Sequence, residues 1–97
     1  MKNKTILKQI NEDGQYVFPN GSKLVLTHYS LSGFDNNLIV IDKEGKRLWG
    51  IKDVYPYGGA TIVNIYDDGT FFFNTFEGMG GVIDSSTFEL IEKQFNK

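Results

Sequence analysis

The sequence predicts an all-β fold of antiparallel meanders, two repeated four-stranded units with no substantial helix. Three observations predict it. Short runs of aliphatic, β-branched and aromatic residues alternate with clusters of Gly, Asn, Asp and Pro. No stretch sustains the apolar period of a helix. A segment also recurs: Leu38-Ile39-Val40-Ile41-Asp42, a turn, then Leu48 returns as Gly81-Val82-Ile83-Asp84, a turn, then Leu90. Asp42 and Asp84 stand 42 positions apart, each six before its Leu, a spacing that suits a repeated β-meander.

The elements follow in order. A run at 5–10 precedes the turn formers Asn11-Glu12-Asp13-Gly14. The runs 15–18 and 23–29 flank Pro19-Asn20-Gly21, where Asn-Gly supplies the positive φ of a tight hairpin. The segment 30–36, with Gly33, Asp35 and Asn36, is too polar to continue the strand. The runs 37–42 and 47–52 flank a hairpin turn in which Gly45 is the left-handed residue. Gly58-Gly59 separates the two units. The second comprises 61–66, a turn at Asp67-Asp68-Gly69, 70–76, the loop Glu77-Gly78-Met79-Gly80, then 81–84 and 88–95. The opening run shares its polarity with Glu92-Lys93-Gln94-Phe95 and is expected to pair with it across the chain ends. One domain, 1–97, with internal repeats at 16–52 and 61–95, is the resulting organisation.

The run Ile39-Val40-Ile41-Asp42-Lys43-Glu44-Gly45-Lys46-Arg47-Leu48-Trp49 resembles the inner-blade signature of quinoprotein-type β-propeller repeats. There a hydrophobic strand ends in Asp, a Gly turn follows and a Trp closes the next strand. The resemblance covers about two blades. In the second, Thr87 replaces the turn Gly and Ile91 stands where the Trp would be. Closed propellers use about four blades or more, so two blades cannot close alone. The family's quinone ligands have no matching positions here, so no cofactor is expected.

Composition bounds the function. The 97 residues are 40% hydrophobic and 14% aromatic, enough apolar material for a core. Ten basic and twelve acidic side chains are spread along the chain, so no basic stripe suits a phosphate backbone and nucleic acid is not an expected partner. The chain contains no cysteine, which suits a reducing compartment. The start has no apolar run long enough for a signal peptide, and nothing elsewhere approaches a membrane span. With Met1 as native start, a cytoplasmic protein is expected.

Several strands are apolar at every position, whereas a sheet covered on one side alternates. Leu24-Val25-Leu26, Leu38-Ile39-Val40-Ile41 and Phe71-Phe72-Phe73 place apolar side chains on both faces. The middle ring of the Phe triplet must point opposite to its neighbours. Burying a Phe contributes roughly 1.5 to 3 kcal/mol, so the second face calls for another layer. Self-association as a homodimer or higher oligomer is the expectation; a strongly coiled sheet is the alternative.

Catalytic and metal constellations are sparse. His28 is the only histidine, and a nucleophilic site with Ser30 or Ser32 and Asp35 lacks a framing motif. One His and no Cys do not make a zinc site. Asp67-Asp68-Gly69 lacks the distal Glu of a calcium loop and reads as a hairpin turn. No catalytic, metal or cofactor-binding residue is therefore assigned. Trp49 reads first as core packing. With Tyr55 and Tyr57 it could instead form an aromatic anchor, and Phe72 and Phe76 complete the candidate partner-binding residues. The expected function is a non-enzymatic domain that self-associates and binds or inhibits a protein partner, similar in type to immunity or phage accessory proteins. A small-molecule or carbohydrate-binding module is the alternative, and a small hydrolase working through His28 or turn carboxylates ranks third.

Overall fold

The computed structural model describes residues 4–11, 13–28, 37–55 and 58–95. Nine strands appear among them: β1 (Ile6–Asn11), β2 (Gly14–Val17), β3 (Lys23–Leu26), β4 (Leu38–Ile41), β5 (Arg47–Gly50), β6 (Ala60–Tyr66), β7 (Thr70–Thr75), β8 (Met79–Asp84) and β9 (Leu90–Phe95). They form two antiparallel sheets, one of four strands in the order β2-β3-β4-β5 and one of five in the order β1-β6-β7-β8-β9. All-β meander architecture is thus the fold.

Local chemistry places the hairpins. Between β2 and β3, Asn20 Oδ1 accepts from the Ser22 N–H (2.9 Å) and hydroxyl (2.6 Å). Between β6 and β7, Asp68 Oδ1 does the same for the Thr70 N–H (3.1 Å) and hydroxyl (2.6 Å). A short side-chain acceptor mimics a backbone turn in both places.

The two sheets share one core. Phe71 and Phe73 of β7 are fully buried, and Phe72 faces the other way, as strand alternation demands. Trp49 of β5 meets Phe71 edge-on at 5.4 Å between ring centroids, and Phe18, just after β2, lies 6.3 Å from the same ring. These contacts cross from one sheet to the other. Leu24, Leu26, Leu38 and Val40 supply the rest of the four-stranded sheet's inner face.

The structure corrects four sequence expectations. β1 pairs with β6, from Ile6 opposite Tyr66 to Asn11 opposite Ile62, and lies on the edge opposite β9. The chain ends therefore do not pair. β5 stops at Gly50 and not at 52, because the chain turns into a single 3-10 turn at Ile51–Asp53, where the Asp53 carboxylate accepts the Gly50 N–H at 3.1 Å. Met79 and Gly80 are strand and not loop. A Cβ on Gly80 would strike the Phe72 ring at 2.8 Å, so the glycine lets that ring lie on the backbone.

The fourth correction concerns the matched hairpins. Asp42 N–H donates to Lys46 O, four residues on, whereas Asp84 N–H donates to Glu89 O, five on. The second turn is one residue longer. Leu90 consequently pairs with Ile83 as Arg47 pairs with Ile41, and Ile91 rather than Leu90 occupies the place of Leu48. Both are the extra residue of a β-bulge.

Candidate functional site

The five candidate residues fall in different places. Trp49 lies in the core, 3% exposed, between Phe71 and Phe73. Packing is its role, and the anchor reading loses its central ring because the side chain faces inward. Its Nε1 has no acceptor among the described residues. Tyr55 follows the 3-10 turn, packs partly against the core and donates its hydroxyl to Glu77 Oε1 at 3.0 Å. Phe76, exposed in the turn between β7 and β8, is the chain neighbour of Glu77. Tyr55 and Phe76 are thus brought to one corner, while Phe72 stands on the outer face of the five-stranded sheet. Tyr57 lies outside the described residues.

Four-stranded register defines an outer face that residue-by-residue reading did not single out. Gln15, Val25, Ile39 and Gly50 form one row across it, and Val17, Lys23, Ile41 and Arg47 form the next. Val17 is exposed, and Val25, Ile39 and Ile41 are each partly exposed. The Arg47 guanidinium lies across Gly50, where a Cβ would collide with it, and reaches Asp53 Oδ1 at 3.2 Å. The continuous apolar runs at 24–26 and 38–41 carried this signal, but not which members faced outward.

The outer face of the five-stranded sheet has another chemistry. The Phe72 ring sits among amides: Asn64 and Gln9 share its row and bond to each other at 2.8 Å, and Asn11, Asn74 and Gln94 lie in the next row. Gln94 in turn donates to Glu92 Oε2 at 2.8 Å.

The acids serve turns. Asp42 Oδ1 accepts from the backbone N–H groups of Glu44 (3.0 Å) and Lys46 (2.8 Å). Asp84 Oδ1 accepts from Ser86 (2.7 Å) and Thr87 (3.0 Å), and these two bonds hold its carboxyl below the ordinary value. Asp68 is lowered chiefly by the Thr70 hydroxyl and further by the Lys4 ammonium at 3.4 Å. Among the described residues, no three His, Cys, Asp or Glu side chains gather to hold a metal ion. His28 is partly buried beyond β3, and its backbone N–H donates to Asp13 Oδ1 at 2.8 Å. Ser30, Ser32 and Asp35 lie outside the described residues. No helix among the described residues is long and apolar enough to cross a membrane.

No protein-family model matches the chain, and no curated protein or solved structure matches it.

Proposed function

We propose that this domain is a non-enzymatic interaction module that self-associates and binds or inhibits a protein partner. The observation that carries the reading is the outer face of the four-stranded sheet, where Val17, Val25, Ile39 and Ile41 present aliphatic surface opposite a complete core. Aliphatic side chains grouped on an uncovered sheet face are a candidate surface for association. The same reading takes the two meanders as copies of one blade-like repeat, supported by the matched acceptor turns at Asn20 and Asp68 and at Asp42 and Asp84. It places the protein in the cytoplasm, where a cysteine-free chain is at home.

Light scattering coupled to size-exclusion chromatography, across micromolar to millimolar protein, tests self-association. A mass that rises with concentration is the expected result. A monomer throughout overturns it.

One observation favours a second reading, a carbohydrate-binding module. The Phe72 ring on Gly80, flanked by Asn64, Asn74 and Gln94, offers an apolar plate beside amide donors and acceptors, the chemistry that meets a sugar ring. This platform differs from the one expected from Trp49, Tyr55 and Tyr57. Saturation-transfer NMR with a panel of oligosaccharides, on the wild type and Phe72→Ala, separates the two readings. Transfer that Phe72→Ala abolishes would favour sugar binding over protein interaction.

A further inference from the structure

The structure assigns Asn20 as a latent modification site: the closed hairpin between β2 and β3 shields its side-chain amide from conversion to aspartate, and opening of that hairpin releases it to react. The inference is independent of the interaction reading above.

The chemistry starts from the sequence. Asn20-Gly21 is the only Asn-Gly pair in the chain. Glycine carries no side chain, so its backbone nitrogen meets little hindrance as it approaches the side chain before it. Once that nitrogen has given up its proton, it attacks Cγ of Asn20. The new N–Cγ bond closes a cyclic imide, the Cγ–Nδ2 bond breaks, and the amide nitrogen leaves as ammonia with the proton. Water then opens the imide. Addition at Cγ breaks the new bond and leaves an ordinary aspartate at position 20. Addition at the main-chain carbonyl breaks the old peptide bond instead, and the backbone then runs through the former side chain as an isoaspartate.

The folded hairpin holds both reacting groups off this path. Gly21 donates its N–H to Phe18 O at 2.9 Å, and Phe18 donates its own to Ser22 O at 2.8 Å. Attack requires the Gly21 nitrogen to lose the very proton that makes the first bond. Asn20 Oδ1 is fixed by the Ser22 N–H at 2.9 Å and by the Ser22 hydroxyl at 2.6 Å. Ser22 is only 4% exposed, so water does not compete for that hydroxyl. Swinging Cγ onto the nitrogen breaks both contacts to Ser22. Ring closure thus sacrifices the Gly21 bond and the two Ser22 bonds together, which places the reaction in the opened hairpin.

The second unit shows how the fold receives the product. There Asp68, Gly69 and Thr70 take the places of Asn20, Gly21 and Ser22. Gly21 and Gly69 are left-handed, at φ 91° and 84°, and Asp68 Oδ1 accepts from the Thr70 N–H and hydroxyl as Asn20 Oδ1 does from Ser22. A carboxylate serves this turn as an amide does, so the aspartate product refolds. The isoaspartate does not. It places an extra carbon in the main chain of the turn and disturbs the register that sets Val17 opposite Lys23. Each opening of the hairpin therefore risks a permanent mark: an added negative charge in a native turn, or a hairpin that no longer closes.

Peptide mapping by mass spectrometry, with the aspartate and isoaspartate forms separated, measures conversion at position 20. Wild type, Ser22→Ala and Ser22→Thr are incubated at neutral pH, folded by circular dichroism, beside wild type unfolded in guanidinium. Folded wild type should convert about tenfold more slowly than the unfolded chain, or slower still. Folded Ser22→Ala should convert about fivefold faster than folded wild type, and Ser22→Thr should return to the wild-type rate, since Thr70 makes the same bonds. Wild type in enough urea to match the global stability of Ser22→Ala separates a local hold from general loosening. It should lag behind Ser22→Ala. Asn20→Asp should keep the wild-type urea midpoint. Equal rates in folded and unfolded wild type overturn the shielding. A Ser22→Ala rate that is unchanged, slowed or equalled by wild type in matched urea overturns the role of Ser22. A clear fall in the Asn20→Asp midpoint overturns the accommodation of the product.

Discussion

Asn37 makes both of its side-chain amide hydrogen bonds to the backbone of Ala60: Nδ2 donates to Ala60 O at 2.6 Å and Oδ1 accepts the Ala60 N–H at 2.9 Å. Asn37 is 1% exposed and immediately precedes β4, and Ala60 is the first residue of β6, so this amide stands in for a strand and ties one sheet to the other. Asn37→Ala would leave a buried N–H and a buried C=O without partners, at a cost of about 2 to 4 kcal/mol. Asn37→Asp should be destabilising at neutral pH and less so on acidification, since a protonated carboxyl regains a donor for Ala60 O. Urea denaturation of the three proteins from about pH 3 to pH 7, a range that brackets the ordinary Asp value of about 3.9, measures both effects.

Trp49 gives a second prediction because its indole N–H is buried without an acceptor among the described residues. Truncation to Ala opens a cavity and should cost about 3 to 5 kcal/mol. Trp49→Phe keeps most of the ring and removes the unpaired donor, so its cost should stay below about 1.5 kcal/mol. As the sole tryptophan, Trp49 should also emit at short wavelength and resist acrylamide quenching. Ready quenching would return it to the surface and revive the anchor reading.

The sequence disclosed the hairpins better than the long-range pairings. Asn20-Gly21, Gly45 and Asp68-Gly69 mark turns whose chemistry is local, and the structure places a turn at each. The partner of β1 was not legible. Its run of six residues suits either outer edge of a sheet, and the choice of β6 over β9 rests on how the two sheets pack. Met79 and Gly80 read as loop because glycine favours turns, yet both sit in β8, where the Phe72 ring crowds the backbone at Gly80. The even spacing from Asp to Leu concealed a turn one residue longer, so Ile91 became visible as the counterpart of Leu48 only through register. Of the candidate site, the surplus of apolar strand positions was legible and its location was not. Trp49 was chosen for its size, which in a chain this small suits the core as well as the surface.

The carboxylates of Asp68 and Asp84 predict acid sensitivity. Each is held below its ordinary value of 3.8 in the folded state. A depressed folded-state pKa contributes stability that is complete above the unfolded value and is lost as the pH falls through the folded one, so the loss occurs below about pH 4. For Asp68 the Thr70 hydroxyl is the largest single cause, and Lys4 adds both its charge and a hydrogen bond. Thr70→Val and Lys4→Ala should therefore each raise the Asp68 pKa, and added salt should only partly erase the shift, since screening acts on the ion pair and not on the hydroxyl bond. Carbon-detected NMR titration of the Asp68 carboxyl resolves the two contributions. A Thr70→Val variant with an unchanged Asp68 pKa would assign the shift to charge instead.

The two Asp-capped turns differ in how they reach the left-handed region, and substitution can separate backbone strain from packing. Gly45 takes φ 89° in the first, and no atom lies within 4 Å of where its Cβ would be. Gly45→Ala should thus cost about 1 kcal/mol, all of it conformational. Phe88 takes φ 61° in the second, with its N–H bonded to Asp84 O at 2.7 Å and its ring packed against the core. A phenylalanine there is retained only if the ring contributes more than the backbone strain costs. Phe88→Gly relieves about 1 kcal/mol of strain but gives up part of the roughly 1.5 to 3 kcal/mol that burying such a ring provides. The variant should be less stable than the wild type, and Phe88→Ala, which loses the ring and keeps the strain, less stable still. Urea midpoints should fall in the order wild type, Phe88→Gly, Phe88→Ala. If Phe88→Gly matched or exceeded the wild type, the ring would contribute nothing net, and the turn would be held by Asp84 and the backbone N–H groups that donate to it.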